Sequence, residues 1–253
     1  MVVPKLAGGL GNQMFQIANA CAYAKRYGLD WGINYGLSFC PNQGFTASKY
    51  KDNLFRNIHT TTELPTKVYQ EFGMKYHQIP KMDGVLFDGY FQSEKYFEDA
   101  TDIIRSLFVF PKDIEEMVDS FLNTLARPVV GVHIRRGDYI KFSNVHAIQD
   151  AKYYSEASKI VGKSSAVVCT DDWTSVNKEM SFSNAVKSPF KNEIEDLCLL
   201  SKCDSLVLCN SSFSWWSSFL IKEKTKVIAP KNWLIDRKYE EYKDVFRKNW
   251  ILL

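Results

Sequence analysis

In the stretch Pro128-Val-Val-Gly-Val-His-Ile-Arg-Arg-Gly-Asp-Tyr139 the residues from Val129 to Ile134 are mostly β-branched and carry almost no charge. That is the pattern of a strand buried on both faces. It stops at Arg135, Arg136, Gly137 and Asp138, which puts two guanidiniums and a carboxylate at the carboxyl end of a buried strand. Open α/β sheets hold their ligands at such ends. The planar fork of arginine matches phosphate oxygens, so two in a row suit a pyrophosphate. A surface Arg–Asp pair after an ordinary strand is the plainer alternative.

Outward from this stretch, helical and strand patterns alternate. Toward the C-terminus the pattern predicts a helix over Ala151–Val161 and a strand over Ala166–Thr170. A short helix over Trp173–Lys178 and a helix over Glu193–Lys202 come next. A strand over Ser205–Cys209, a helix over Trp215–Ile221 and a strand over Lys226–Ala229 complete the series. Strands separated by crossovers of helical length imply a parallel sheet. Toward the N-terminus, Val2–Leu6 reads as a strand, Ala7-Gly-Gly-Leu-Gly-Asn12 as a glycine-rich turn and Gln13–Tyr27 as a helix. Gly28 is placed to end that helix, and Asp30–Tyr35 reads as the next strand. Residues 36–82 have weak periodicity and read as short strands and loops. Val85–Phe91 returns to strand character, Ser93 is a natural N-cap, and Asp113–Leu125 is helical up to Ala126-Arg-Pro128. The expectation is an α/β chain of two Rossmann-like domains, residues 1–126 and 127–253, facing across a cleft.

Composition narrows the function. Hydrophobic residues make up 45% and charged residues 24% of the 253, enough for a real core. The net charge of +3 comes without a block of basic residues, so nucleic acid is not implied, whereas a small anionic ligand fits. There is no apolar run of membrane-spanning length and no signal-peptide pattern, which reads as a soluble cytoplasmic protein. The 6 cysteines are irregularly spaced, as reduced thiols are. No metal-ligand spacing and no Asp-x-Asp occurs, so no metal and no cofactor is expected.

Three of the predicted strand ends in the second half carry polar clusters: Arg135–Asp138, Thr170-Asp-Asp172 and Asn210-Ser-Ser-Phe-Ser214. In a parallel sheet these ends share one edge. Backbone N–H groups and hydroxyls at Asn210–Ser214, opening a helix, suit an anion. Simple N-capping is the alternative for the serines, and for Asp171 and Asp172 before Trp173. Gly8, Gly9 and Gly11 match no dinucleotide spacing, but let a ligand approach backbone N–H groups.

Six motifs occur in order: Gly8-Gly-Leu-Gly-Asn-Gln-Met-Phe-Gln16, Gly89-Tyr-Phe-Gln-Ser-Glu-Lys-Tyr-Phe97, His133-Ile-Arg-Arg-Gly-Asp-Tyr139, Thr170-Asp-Asp172, Asn210-Ser-Ser-Phe-Ser-Trp-Trp216 and Val227-Ile-Ala-Pro-Lys-Asn-Trp233. This ordered set, from about residue 6 to residue 235, resembles that of the family 11 glycosyltransferases, the α-1,2-fucosyltransferases. The resemblance implies a GT-B fold and transfer of fucose from GDP-β-L-fucose, with inversion, to a galactose 2-hydroxyl of a glycan acceptor, without an obligatory metal. It implies that Arg135 holds the donor β-phosphate, that His133 lies against the nucleoside and that Asp196 pairs with the guanine edge. Ser211, Ser212 and Ser214, with Asn210, complete the phosphate cradle, and Arg136, Asp172, Gly11 and Asn12 join the donor set. Tyr90, Phe91 and Gln92 are the acceptor candidates, with Phe91 standing where the family commonly has tryptophan. Arg135 and Asp138 are taken as catalytic, with the base open among Asp138, Asp88 and His146, because Ser143 replaces the glutamate of the α-1,6 relatives. Another linkage or acceptor, α-1,6 or peptide O-fucosylation, and a non-catalytic nucleotide-sugar binder are the alternatives.

Overall fold

The computed structural model describes all residues except 41–43, 142, 177–181, 183 and 222–224, and the side chains of Asp138, Lys141 and Ser175. The chain divides into two compact units, Met1–Pro111 with Glu240–Arg247, and Lys112–Tyr239 with Lys248–Leu253.

The first unit is built on β1 (Val2–Pro4), α1 (Leu10–Tyr27), β2 (Lys67–Gln70), β3 (Val85–Asp88) and α2 (Thr101–Leu107). Its three strands are parallel in the order β1-β3-β2. The strand expected over Asp30–Tyr35 is reduced to single parallel bridges, Val2 to Trp31 and Ile33 to Thr60, which extend the sheet beyond β1. Helix α1 starts earlier than its apolar pattern suggests, so Gly11 and Asn12 lie in its first turn. Gly8 makes that turn: its φ is +76°, and a Cβ there would stand 2.5 Å from the Asn12 amide nitrogen. At the other end Gly28, at φ +64°, closes the helix, with its N–H donating back to the last turn. Ser93 is a cap as read, but what it caps is a 3₁₀ turn over Glu94–Tyr96 and not an α-helix. Glu240–Arg247 is tied to this turn. Arg247 pairs with Glu94, Lys95 with Asp244, and the Ser93 hydroxyl donates to the Asp244 carbonyl.

The second unit contains α3 (Lys112–Leu122), β4 (Val129–Ile134), α4 (Gly137–Lys141), α5 (Ala151–Val161), β5 (Ser165–Thr170), α6 (Trp173–Val176), β6 (Ala185–Lys187), α7 (Glu193–Ser201), β7 (Ser205–Val207), α8 (Ser212–Leu220), β8 (Lys226–Ala229) and β9 (Ile251–Leu252). The units part at Pro111, before the boundary expected at 126/127, because α3 packs on α7. Phe121 meets Phe190 edge-on at 5.7 Å, and Lys202 bridges to Asp119 at 2.8 Å.

The six parallel strands run β6-β5-β4-β7-β8-β9. The chain lays β4, β5 and β6 outward in one direction, then returns to lay β7, β8 and β9 outward in the other. This is the doubly wound Rossmann order, and its switch point is the gap between β4 and β7. Every residue of β4 is buried. Val130, Val132 and Ile134 face Tyr153, Tyr154 and Ala157 of α5. On the opposite face Gly131 abuts Leu200, Cys203 and Leu206, where a Cβ would come within 3.0 Å of all three. The aromatic wealth of the sequence is spent largely on this interior; Trp215, Trp216 and Phe219 of α8 are fully buried.

Candidate functional site

The site is built where the sheet of the second unit changes direction. Arg135 follows β4 directly, and the chain after β7 passes through Leu208 and Cys209 to Asn210 and Ser211, which opens α8. Ligands of doubly wound sheets sit outside these carboxyl ends.

Arg135 is held by Asp171. Its Nε lies 3.2 Å from Asp171 Oδ2, while the Arg136 N–H donates to Asp171 Oδ1 at 2.9 Å. The carboxylate thus grips the loop by side chain and backbone at once. Gly137 permits this, since a Cβ there would stand 2.6 Å from Asp171 Oδ2. The Arg135 guanidinium also lies over the Tyr139 ring, 5.8 Å from its centroid. Tyr139 reaches across the switch point, its hydroxyl donating to the Asn210 carbonyl at 2.9 Å. Tyr153 does the same one step earlier, donating to the Leu208 carbonyl at 2.6 Å.

On the β7 side, Ser211 caps α8, its Oγ accepting the Phe213 N–H. The first turn of α8 holds no acidic residue, and neither does that of α1. The positive end of the α8 dipole therefore faces the same edge as Arg135, favouring an anion. Two members of the expected cradle turn inward. Ser214 is fully buried and donates to the Cys209 and Ser211 carbonyls, each at 3.2 Å. The Asn210 amide donates to the Trp233 carbonyl at 2.8 Å and its oxygen faces Gln149. Both brace the loop instead of lining it. Ser211 and Ser212 remain as hydroxyls at the helix start.

His133 is 6% exposed, 3.2 Å through Nδ1 from Cys209 Sγ and packed against Phe213 at 5.2 Å. Burial, and then the charge of Arg135, lower its pKa to about 3, so the ring is neutral. Across the β4–β5 register His133 is opposite Cys169, on the same face of the sheet, and Cys169 in turn contacts Asp196. Asp196 also accepts the Ser188 hydroxyl at 2.5 Å, and burial raises its pKa. The structure thus brings Arg135, Arg136, His133, Asn210, Ser211 and Ser214 into one network and attaches Asp196 to it through Cys169. Asp172 opens α6, its N–H donating to Thr170 Oγ1; Asp171, which the sequence placed in the same strand-end cluster but not in the donor set, is the residue that meets Arg135. The tandem Asp-Asp after a strand was the signal, but spacing does not tell which of two neighbours reaches Arg135.

Asp138 lies in the first turn of α4, and its side chain falls outside the described residues. His146 stacks on Tyr139 at 4.1 Å, and Asp88, in the first unit, is paired with Lys5 at 2.8 Å. Among the described residues no three His, Cys, Asp or Glu side chains are grouped to hold a metal ion.

The first unit has its own switch point, between β1 and β3. The Gln92 amide donates to Asn12 Oδ1 at 2.7 Å, and the Gln16 amide to the Gly89 carbonyl at 2.9 Å. Glu71 Oε2 accepts the N–H groups of Tyr90 and Phe91 at 2.7 and 2.8 Å. Phe91 takes a left-handed φ of +52° and turns into a cluster with Phe87, Tyr69 and Tyr96. It is fully buried and offers no face to a sugar, which corrects its reading as an acceptor residue. Tyr90 is 47% exposed.

Residues 4–253 match the model of glycosyl transferase family 11. The chain belongs to glycosyltransferase family 11. The resemblance carried by the six motifs is thereby borne out. An α-1,2-colitosyltransferase of Escherichia coli is 29% identical, with 92% of each chain covered. A galactoside 2-α-L-fucosyltransferase of Caenorhabditis elegans is 30% identical, over 87% of this chain and 68% of its own. Among solved structures, the fucosyltransferase NodZ from Bradyrhizobium superposes with a TM-score of 0.59 at 14% identity, covering 87% of this chain and 93% of its own. NodZ α-1,6-fucosyltransferase co-crystallised with GDP gives 0.57. These likenesses establish the two-unit GT-B fold of this glycosyltransferase. No helix among the described residues is long and apolar enough to cross a membrane.

Proposed function

We propose that this glycosyltransferase moves L-fucose from GDP-β-L-fucose to the 2-hydroxyl of a galactose-containing acceptor, with inversion at the sugar carbon. The observation that carries the reading is Arg135, clamped by Asp171 at the end of β4 beside the start of α8. An arginine and a helix N-terminus at one switch point form a pyrophosphate site. The relatives named above support the choice of donor and linkage.

As the fucosyl–oxygen bond breaks, negative charge collects on the β-phosphate. Arg135, fixed before the reaction by Asp171 and Tyr139, meets that charge without reorganising. Ser211, Ser212 and the N–H groups of the first turn of α8 take the remaining oxygens. His133 packs under the nucleoside, and Asp196 accepts N1 and N2 protons of guanine. Arg136 and Asp172 shape the loop ends, and Gly11 and Asn12 open α1, whose first turn also holds no acidic residue. The acceptor takes Tyr90 for stacking and Gln92 for hydrogen bonding. Neutralisation by Arg135 and the helix makes a metal unnecessary, and Asp138 remains the candidate to receive the acceptor proton.

Incubation with GDP-fucose and a series of β-galactosides, followed by NMR linkage analysis of the product, tests this reading. The expected product is Fuc-α-1,2-Gal; a product of another linkage such as α-1,6, or tight GDP-fucose binding with no transfer to any galactoside, would reject it. The likeness to a colitosyltransferase favours a second reading, in which the sugar moved is colitose, the 3-deoxy counterpart of fucose. Competing GDP-fucose against GDP-colitose in one reaction separates the two.

A further inference from the structure

Cys209 and Arg135 lie just past β7 and β4, the two strands that flank the switch point. The Cys209 sulfur accepts the backbone N–H of Arg135 and stands 3.2 Å from Nδ1 of His133. Both residues are buried, Cys209 at 2% and His133 at 6% exposure.

The proton count at this sulfur favours one arrangement. A thiol carries one proton, and Nδ1 at 3.2 Å and Ser214 Oγ at 4.0 Å are the neighbours recorded for it. The Ser214 hydroxyl spends its own proton on the Cys209 and Ser211 carbonyls. If Nδ1 bore the ring proton, the thiol proton would be left with the 4.0 Å contact, the longer and weaker of the two. With the thiol donating to Nδ1, the sulfur is free to accept from Arg135, and the ring proton resides on Nε2. Burial supports both neutral forms, holding the thiol up at about 12 and the imidazole down at about 3.

We propose that Cys209 is a positioning residue for the donor nucleotide: its thiol fixes His133 as the Nε2–H tautomer and holds the backbone from which Arg135 projects. The tautomer half stands on geometry alone; the functional half rests on the reading of Arg135 as the phosphate ligand. A serine at this position keeps an O–H donor and an acceptor, whereas alanine removes both.

The test uses the full chain labelled with ¹⁵N-histidine, with the His133 signals assigned through His133→Gln. Long-range ¹H–¹⁵N spectra of the wild type are expected to show Nδ1 unprotonated and Nε2 protonated. In Cys209→Ala the two tautomers mix, and GDP, measured by calorimetry, binds about 5- to 10-fold more weakly, the loss of one buried hydrogen bond. Cys209→Ser restores both the single tautomer and the affinity. A protonated Nδ1 in the wild type overturns the proposal even if neither variant folds. So does a folded Cys209→Ala protein with an unchanged tautomer or unchanged GDP affinity. Normal GDP affinity in Arg135→Ala would instead remove the phosphate reading and leave the tautomer result standing.

Discussion

Replacing Arg135 by alanine is expected to abolish most of the activity and almost none of the stability. The Arg135–Asp171 pair spans 3.2 Å with 33% and 28% of the two side chains exposed, so solvent screens it. Its loss costs at most ~1 kcal/mol. The contact over Tyr139 at 5.8 Å adds roughly 0.5 kcal/mol. Asp171 is not orphaned, because the Arg136 N–H still reaches its Oδ1 at 2.9 Å. For a chain of this size each kcal/mol moves Tm by about 2–4 °C. The rate should suffer far more: removing one preorganised donor to a developing anion lowers kcat by about 10²–10³. GDP release at varied GDP-fucose and galactoside measures the first quantity, and a thermal melt of the same sample the second. Arg135→Lys serves as the graded arm, since an ammonium keeps the charge but not the fork, and a partial recovery is expected. A kcat/KM within about 3-fold of wild type refutes the assigned role. So does a Tm drop beyond about 10 °C, which would make Arg135 a structural residue.

Three further outcomes follow from the same geometry. The pKa of His133 is lowered by burial and by Arg135 from 6.5 to about 3. The unfolded chain therefore binds a proton that the native state refuses, and stability falls as pH drops through that window, by up to about 1.4 kcal/mol per pH unit. Urea midpoints of His133→Gln should be flatter than wild type between about pH 6 and pH 5, before most carboxylates titrate; parallel slopes would show that the ring does not contribute. Gly137→Ala places a Cβ 2.6 Å from Asp171 Oδ2, pushing the clamp off Arg135, and is expected to raise KM for the donor by about 10-fold with little change in Tm; an unchanged KM contradicts the clamp. Glu71→Ala orphans the N–H groups of Tyr90 and Phe91, which it accepts at 2.7 and 2.8 Å, and should cost roughly 2–4 kcal/mol in urea unfolding. A loss below about 0.5 kcal/mol would mean that the left-handed turn at Phe91 holds itself.

The parallel sheet of the second unit was legible because its strands are apolar runs that end abruptly in charge. Val129–Ile134 before Arg135, and Ser205–Cys209 before Asn210, announce both strand and edge. The strands that escaped, Lys67–Gln70, Ala185–Lys187 and Ile251–Leu252, have two to four residues each and stand at sheet edges, too short for any period to show. At the site, Arg135 was readable from its place at a strand end, whereas Asp171 was hidden behind Asp172. Which of two adjacent carboxylates reaches Arg135 depends on the pitch of a loop, and Gly137 sets that pitch from a different strand end. Phe91 misled for a related reason. Aromatic character suits both a sugar platform and a core, and the left-handed backbone that turns it inward is held by Glu71, twenty residues away in sequence.

The attachment of Glu240–Arg247 to the 3₁₀ turn at Glu94 bears on how the protein is made. A ribosome delivers the first unit's sheet and α1 early. Yet the Arg247–Glu94 pair, the Asp244–Lys95 pair and the Ser93 hydrogen bond all await residues that follow β8 of the second unit. The unit begun first is thus completed only after most of the second has been synthesised, and the Gly89–Phe97 segment that presents Tyr90 receives its brace only then. C-terminal trimming to about residue 239 would consequently strike the first unit as well as removing β9 from the second, although every strand from β1 to β8 had been synthesised.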